Sequence, residues 1–309
     1  MPKQSKVLIT GGSGFIGSNL SKELLSKGHE VHILDISDKS SLTLEGAILH
    51  RGSITHSDIV ESAIEGCEVV FHEAALTSVS DSIENPEKFR KVNVWGTRNV
   101  LEVCRKHDVK KVVLASSAAV YGDESILPKT EESPTKPISP YAESKLQNEK
   151  DAKEYFKEYG LETVSLRYFN VYGPGQDPKS PYSGVISKFM DCTIEKKQPT
   201  IFGDGKQTRD FVFVEDVVNA NLLAMEKKGI GGEAFNIAIG KETSVLELWN
   251  VIKELSGSAF EPSMSPKREG DILRSVASIE KAKKMLGYEP KYSIKEGLEK
   301  TMEWMKNAR

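Results

Sequence analysis

Residues 6–17 read Lys6-Val7-Leu8-Ile9-Thr10-Gly11-Gly12-Ser13-Gly14-Phe15-Ile16-Gly17, and this stretch decides the fold. Its first part is rich in branched apolar side chains, which predicts a short buried strand. An amphipathic helix is predicted from Ser18 to Lys27, because leucines recur on one side of it. A second apolar run, from His29 to Leu34, predicts another strand that ends at Asp35. The order is therefore strand, glycine turn, helix, strand and acid.

Three glycines and one acid in this unit predict a dinucleotide site. Gly11, Gly14 and Gly17 allow a tight turn, a close approach of the backbone to a pyrophosphate, and close packing of helix on strand. The start of the helix adds unpaired N–H groups and a positive dipole end. Asp35 can accept hydrogen bonds from both hydroxyls of an adenosine ribose and would repel a 2′-phosphate. We therefore expect NAD rather than NADP.

Composition and charge exclude several classes of partner. The chain has 309 residues, 38% of them hydrophobic, so it can bury a large core. A formal net charge of −3 provides no basic surface for nucleic acid or for an anionic membrane. No signal peptide or spanning segment is recognisable, and Cys67, Cys104 and Cys192 lack the spacing of a disulfide framework or a metal site. We expect a cytoplasmic protein that binds no metal, nucleic acid or membrane.

Later apolar runs alternate with helical segments, which predicts an α/β fold. The runs from Glu68 to Phe71, Lys111 to Ala115 and Thr163 to Arg167 are the further strands of a Rossmann-type, doubly wound parallel sheet. A smaller C-terminal α/β substrate lobe is expected to follow. We predict a dinucleotide-binding domain at residues 1–170, to which 209–240 return, and a substrate lobe at 171–208 and 241–309.

Tyr141 and Lys145 are candidate catalytic groups. Four residues apart on a helix, they lie on the same face, one turn from each other. A neighbouring ammonium stabilises a phenolate, so the pair predicts a base that works near neutral pH. An exposed tyrosine beside a surface lysine is the alternative, which this pair alone does not exclude. The strand predicted to end at Ala115 also delivers Ser116 and Ser117 to the carboxyl edge of the sheet, where ligands bind in such folds.

The glycine-rich stretch from Thr10 to Gly17, together with Tyr141 and Lys145, resembles the extended short-chain dehydrogenase/reductase family. The resemblance runs from about residue 5 to beyond 290 and is to the nucleotide-sugar branch, which contains UDP-glucose 4-epimerases. It implies that Ser117 orients the sugar, that Tyr141 moves the proton of its 4-hydroxyl, and that Lys145 lowers the pKa of the phenol. The implied reaction passes through a transient 4-keto sugar and regenerates NAD.

The resemblance also implies two sets of binding residues. The cofactor set is Gly11, Gly14, Phe15, Ile16, Gly17, Asp35, Ser53, Ile54, Ala74, Ala75, Thr77, Tyr141, Lys145 and Tyr168. The substrate set is Ser78, Ser117, Tyr141, Asn170, Val185, Phe202, Arg209, Arg268, Asp271 and Ser275. In the second set, Arg209 and Arg268 are expected to bind the diphosphate and Asp271 the uridine ribose. Ser53 departs from the family pattern, which usually has Asp there to bind the adenine amino group.

Several positions bear on which sugar and which reaction the site is expected to accept. Ala118 and Ala119 stand where dehydratases of the family carry an acidic pair, which argues against 4,6-dehydration. Asp177 would disfavour a uronate carboxylate, so a neutral hexose is expected. Ser275 stands where glucose/galactose-restricted epimerases often carry tyrosine, and it leaves room for a 2-acetamido group. We expect interconversion of UDP-glucose and UDP-galactose, with UDP-GlcNAc and UDP-GalNAc as further candidate substrates.

Other functions remain open on the sequence. A nucleotide-sugar dehydrogenase or reductase, or a UDP-uronate epimerase, would use the same Ser-Tyr-Lys set, and a non-catalytic NAD-sensing regulator would share the fold. The helices predicted at Asn93 to Lys106 and Tyr141 to Tyr159 resemble the pair that forms a four-helix interface in this family. The resemblance therefore implies a homodimer.

Overall fold

The computed structural model describes residues 4–37, 44–177, 184–267 and 272–307. Within these ranges, seven parallel strands form one sheet. The strands are β1 (Lys6–Thr10), β2 (Glu30–Asp35), β3 (Ile48–Arg51), β4 (Val69–His72), β5 (Lys111–Ser117), β6 (Glu162–Tyr168) and β11 (Glu233–Ile237). Their order in the sheet is β11-β6-β5-β4-β1-β2-β3. This arrangement confirms the predicted Rossmann-type fold.

Buried branched side chains explain why β1 occupies the middle of the sheet. Val7 lies opposite Val31 of β2 on one side and opposite Val69 of β4 on the other. Both faces of β1 are covered, so a continuous apolar run rather than an alternating one suits it. The helices of the sheet layers are α1 (Phe15–Ser26), α2 (Ser57–Ile64), α5 (Gly96–Lys106), α6 (Pro140–Tyr159), α8 (Val214–Glu226) and α10 (Glu280–Leu286). Helices α1 and α8 pack together on one face, and α2, α5 and α6 cover the other.

A second hydrophobic core lies outside the large sheet. It is built around the buried side chains of Trp249, Tyr172 and Phe213. Its helices are α7 (Val185–Ile194), α9 (Val245–Ser256) and α11 (Ile294–Asn307), and its strands are β7 (Asn170–Tyr172), β8 (Thr200–Phe202), β9 (Thr208–Arg209), β10 (Phe211–Phe213), β12 (Thr243–Ser244) and β13 (Ser263–Ser265). These strands pair as β7 with β10, β8 with β13, and β9 with β12.

Asp210 ties distant segments of the two cores together. Its buried carboxylate accepts hydrogen bonds from the backbone N–H groups of Ile239 (2.9 Å), Gly240 (3.0 Å) and Ala277 (3.2 Å). Its own carbonyl accepts a hydrogen bond from the Asn170 N–H (3.0 Å). Burial raises the pKa of Asp210 to about 6, and the N–H donors oppose that rise. This residue therefore joins β10, β7 and the segment that follows β11.

The chain after β4 reaches α5 through two short helices and one widened turn. These are α3 (Val79–Glu84), α4 (Pro86–Phe89) and a π-type turn at Arg90–Trp95. The turn contains Asn93, whose amide accepts from the Leu76 N–H (2.8 Å) and donates to the Leu76 carbonyl (2.9 Å) and to the Ser144 hydroxyl (3.1 Å). One side chain thus fixes the loop after β4 against α6. Among the helices of the described ranges, none has the length and apolar content needed to cross a bilayer.

Candidate active site

The turn between β1 and α1 brings backbone atoms close together where only glycine fits. Gly11 has φ +72°, and a Cβ on it would lie 2.7 Å from the backbone nitrogen of Ala74. A Cβ on Gly17 would lie 2.2 Å from the carbonyl oxygen of Gly11. The turn is closed by a hydrogen bond from Gly14 N–H to the Gly11 carbonyl (3.0 Å). It forms a cradle in which a ligand can approach the start of α1 without meeting side chains.

Asp35 stands at the end of β2 beside this cradle. Its carboxylate accepts hydrogen bonds from the N–H groups of Ser13 (3.0 Å) and Ser37 (3.0 Å). A cleft of about 1010 Å³ opens here. Its lining includes these members of the predicted cofactor set: Gly11, Gly14, Phe15, Ile16, Gly17, Asp35, Ser53, Ile54, Ala74, Ala75 and Thr77. A bare backbone turn, a helix start and an acid around one long cleft fit a dinucleotide.

Ser53, the departure from the family pattern, is engaged within its own loop. Its Oγ lies 2.9 Å from the hydroxyl of Thr55 and accepts a hydrogen bond from the Thr55 N–H (3.3 Å). Ser53 also lines the cofactor cleft. A contact between this serine and adenine stays a prediction.

The predicted catalytic groups converge on the end of β5. Ser117 is the last residue of that strand. Its hydroxyl accepts a hydrogen bond from the Ala119 N–H (3.2 Å) and lies close enough to the Tyr141 side chain to lower its pKa. Lys145 is buried and its Nζ donates to the Ala115 carbonyl (2.8 Å) on the same strand. Ser139 caps α6 by accepting from the Ala142 N–H (3.2 Å) and thereby places Tyr141 and Lys145 in the first two turns. Ser117, the neighbouring Tyr141 and the anchor point of Lys145 therefore all lie near the carboxyl end of β5.

A second cleft, of about 540 Å³, lies beside the first. Val171 and Gln176 line both clefts, so the two adjoin. Four members of the predicted substrate set line the second cleft, namely Asn170, Val185, Phe202 and Arg209. The Nη1 of Arg209 donates to the carbonyls of Thr208 (2.8 Å) and Ile272 (2.7 Å).

The remaining members of the substrate set are spread more widely. Ser78 is buried and caps α3 by accepting from the Asp81 N–H (3.0 Å), a structural reason for this serine that its sequence context did not reveal. Ser275 is half-buried. Arg268 and Asp271 lie outside the described residues. Within the described ranges, no group of three or more His, Cys, Asp or Glu side chains is arranged to hold a metal ion.

Comparison with known proteins assigns the chain. The model of the NAD dependent epimerase/dehydratase family matches residues 7–238.

The chain belongs to this family.

Relatives with known names agree with the assignment. UDP-glucose 4-epimerase of Mycolicibacterium smegmatis is 39% identical over 313 residues, covering 98% of this chain and 99% of that protein. The crystal structure of UDP-glucose 4-epimerase from Thermotoga maritima, solved with UDP-glucose, has a TM-score of 0.94 and 38% identity, covering 98% of this chain and 99% of that one. UDP-N-acetylglucosamine 4-epimerase from Methanobrevibacter ruminantium has a TM-score of 0.94 and 32% identity, covering 99% and 100%. The predicted cofactor, NAD, and the predicted enzyme class, an isomerase, are confirmed.

The electrostatics of this epimerase/dehydratase family member differ from expectation at the tyrosine. Burial raises the pKa of Tyr141, and the nearby Ser117 hydroxyl opposes the rise. The sequence predicts the opposite direction, through the charge of Lys145. The Lys145 ammonium instead donates to the Ala115 carbonyl, and burial lowers its own pKa to about 8. For both groups, removal from water therefore changes the pKa more than their proximity on the helix does.

Two further residues complete the site: His72, the last residue of β4, and Glu73, which follows it. His72 lies between the hydroxyls of Thr10 (2.7 Å) and Thr97 (2.8 Å), and burial lowers its pKa to about 3, so it is a neutral structural group. Glu73 lines the cofactor cleft and accepts a hydrogen bond from the Tyr168 hydroxyl (2.8 Å). Sequence reasoning missed Glu73; the available signal was an acid directly after a buried apolar strand.

Proposed function

We propose that this chain is an NAD-dependent UDP-hexose 4-epimerase that interconverts UDP-glucose and UDP-galactose. The proposal depends on one observation: Ser117 at the end of β5 lies beside Tyr141, and Lys145 is anchored two residues earlier on the same strand, at the Ala115 carbonyl (2.8 Å). The names of the relatives support the reaction and the nucleotide part of the substrate.

Each catalytic side chain has a defined task in the proposed reaction. The Tyr141 phenolate takes the proton of the 4-hydroxyl, and the Ser117 hydroxyl orients that oxygen and relays the proton. Bound NAD supplies the acceptor and donor of hydride at C4, together with a positively charged ring. Lys145 would hold the nicotinamide ribose, and its charge would oppose the rise that burial causes in the Tyr141 pKa.

The substrate cleft must hold the nucleotide while the sugar turns. Arg209 would bind the diphosphate through its planar guanidinium, and Asn170 would donate to the same oxygens. Both residues line the cleft that adjoins the cofactor cleft. Anchored at this end, the 4-keto sugar can present its opposite face, and Tyr141 returns the proton to the new 4-oxygen.

A panel of substrates tests this function. The purified protein is incubated, without added NAD, with UDP-glucose, UDP-galactose, UDP-GlcNAc, UDP-GalNAc and UDP-glucuronate, and the products are resolved by chromatography. We expect each neutral hexose to approach equilibrium with its 4-epimer and UDP-glucuronate to react least, because Asp177 would repel its carboxylate. Stoichiometric formation of NADH would instead indicate a dehydrogenase, and the absence of any product would refute the proposal.

The size of residue 275 is proposed to set the range of sugars. Ser275→Tyr should lower kcat/KM for UDP-GalNAc relative to UDP-galactose by about tenfold or more, because a ring would fill the space left for the acetamido group. Ser275→Ala is the matched control, since it removes the hydroxyl without filling the space. Equal losses for both sugars in the tyrosine variant would show that residue 275 does not select the substituent.

We also propose a homodimer formed through α5 and α6. Trp95, which precedes α5, keeps 55% of its surface exposed, and Tyr159 at the end of α6 keeps 57%. The Arg98 guanidinium lies over the Trp95 ring at 5.1 Å from its centroid. Exposed aromatic side chains at both ends of this helix pair suit burial against the same surface of a second copy.

We also propose a division into two units, with the boundaries taken from the sequence. Residues 1–170 and 209–240 would bind NAD, and residues 171–208 and 241–309 would bind the nucleotide sugar. The separate core around Trp249 supports a second unit. Phe211 and Phe213 belong to that core, however, and α10 (Glu280–Leu286) packs on the large sheet, so these two segments lie on the other side of the proposed boundaries.

A further inference from the structure

Glu73 is fixed by three different elements at the edge of the cofactor cleft. Its backbone N–H donates to the Thr10 carbonyl of β1 (3.0 Å), and its carboxylate accepts from the Tyr168 hydroxyl of β6 (2.8 Å). The Tyr168 hydroxyl in turn accepts from Asn221 Nδ2 of α8 (2.8 Å), which also donates to the Val217 carbonyl (3.0 Å). This chain of hydrogen bonds leaves the carboxylate little freedom of position.

The ammonium of Lys145 is anchored on the strand beside Glu73. His72, which precedes Glu73, pairs with Leu114 of β5, and Lys145 donates to the carbonyl of the next residue, Ala115 (2.8 Å). Burial raises the pKa of Glu73 to about 7, while the Tyr168 hydrogen bond and the charge of Lys145 oppose the rise. Burial lowers the pKa of Lys145, while Glu73 and then Glu149, one turn further along α6, oppose that fall. The titratable groups in this cluster are Tyr168 on β6, Lys145 and Glu149 on α6, and His72 on β4, whose pKa burial and the charge of Lys145 lower.

We propose that Glu73 is a positioning residue: held by Tyr168, its carboxylate keeps Lys145 charged and so sets the alkaline limit of turnover. Asn221 donates to the Tyr168 hydroxyl, which donates to the Glu73 carboxylate, and Lys145 is anchored on the neighbouring strand at Ala115. The inference rests on the proposed function, because it assigns a charge on Lys145 to the working state of Tyr141.

The direction of the effect follows from the signs of the charges. Lys145 loses its proton as pH rises, and a neighbouring carboxylate delays that loss to higher pH. Glu73→Gln removes the negative charge, so Lys145 loses its proton earlier and the alkaline limb of turnover moves to lower pH. Below the Glu73 pKa of about 7 the carboxyl is neutral in the native protein too, so the acid limb should stay in place.

Two measurements on the NAD-loaded protein test the proposal. The first is kcat against pH for the native protein and Glu73→Gln, with a shift of the alkaline limb of about one pH unit expected. The second is the rate at which trace acetic anhydride labels Lys145 across the same pH range, without sugar, followed by mass spectrometry. Its midpoint should move to lower pH by the same amount. Glu226→Gln, at the exposed end of α8, is the matched control and should move neither.

A second variant keeps the proposal testable if Glu73→Gln fails to fold. Tyr168→Phe keeps the acid but removes its hydrogen-bond donor, so the labelling midpoint should lie between those of the native protein and Glu73→Gln. An unchanged Lys145 midpoint in both variants overturns the proposal, and so does a shifted midpoint without a shifted alkaline limb. Labelling requires no turnover, so a native protein that epimerises none of the sugars refutes the proposed function separately.

Discussion

Tyr141→Phe should lower turnover about 10³-fold and leave the bound NAD content unchanged. Removing one general acid–base group typically costs 10² to 10⁴ in rate, and a phenyl ring keeps the shape of the residue while losing its proton. Ser117 cannot replace the phenol, because an aliphatic hydroxyl is a far weaker acid than a phenol and is not ionised near neutral pH. The measurement is kcat with UDP-galactose, together with the NAD released on acid denaturation.

Tyr159→Phe is the matched control for that experiment. Tyr159 lies on the same helix, and 57% of its surface is exposed. Tyr159→Phe removes only the hydroxyl and keeps the ring that the proposed dimer would bury, so turnover should change little. Near-native turnover by Tyr141→Phe would remove Tyr141 from the mechanism. Loss of NAD together with turnover would assign the tyrosine to cofactor binding instead.

Gly17→Ala should largely abolish NAD retention. The added Cβ would lie 2.2 Å from the Gly11 carbonyl oxygen and 2.8 Å from the Cα of Gly12, both backbone atoms that cannot turn aside as a side chain can. The turn has to open, and overpacking of this kind costs about 1–3 kcal/mol. If that strain falls on the cradle, the affinity for NAD drops roughly 10- to 100-fold.

The control for Gly17→Ala is Gly184→Ala, which also changes a glycine at the start of a helix. Gly184 is the N-cap of α7 with φ −64°, and a Cβ there would meet nothing within 4 Å. NAD is quantified in both purified variants, and the binding of added NAD is measured by calorimetry. A native NAD content in Gly17→Ala would show that the turn relaxes without affecting the cradle.

Local signals explain what the sequence could predict. The strand from Lys6 to Thr10 and the turn after it are encoded by neighbouring residues, because a covered central strand needs branched apolar side chains and this turn needs glycines. The fold class and NAD were therefore predictable, and both are confirmed. The functional roles of the site residues and the boundaries of the two units stay predictions.

Partners far apart in sequence explain what the sequence could not predict. Arg167 was visible at the end of a strand, but its bidentate contact with Glu149 (2.7 and 2.9 Å) depends on how α6 packs beside β6. Glu73 likewise meets Tyr168, 95 residues later, only because β4, β5 and β6 are neighbours. The direction of the Tyr141 pKa was wrong for a related reason: spacing along a helix gives the proximity of two groups but not the extent to which either is removed from water.

Asp210 restricts how the two cores can move. The backbone passes from the sheet to the second core after β6 and returns to the sheet at β11, and Asp210 holds this junction through N–H groups at 239, 240 and 277. A swinging of the cores about a single hinge would have to bend several crossings and break these hydrogen bonds together. Exchange of one nucleotide sugar for the next is therefore expected to need only small rearrangements at the rim of its cleft, while the two cores keep their relative orientation.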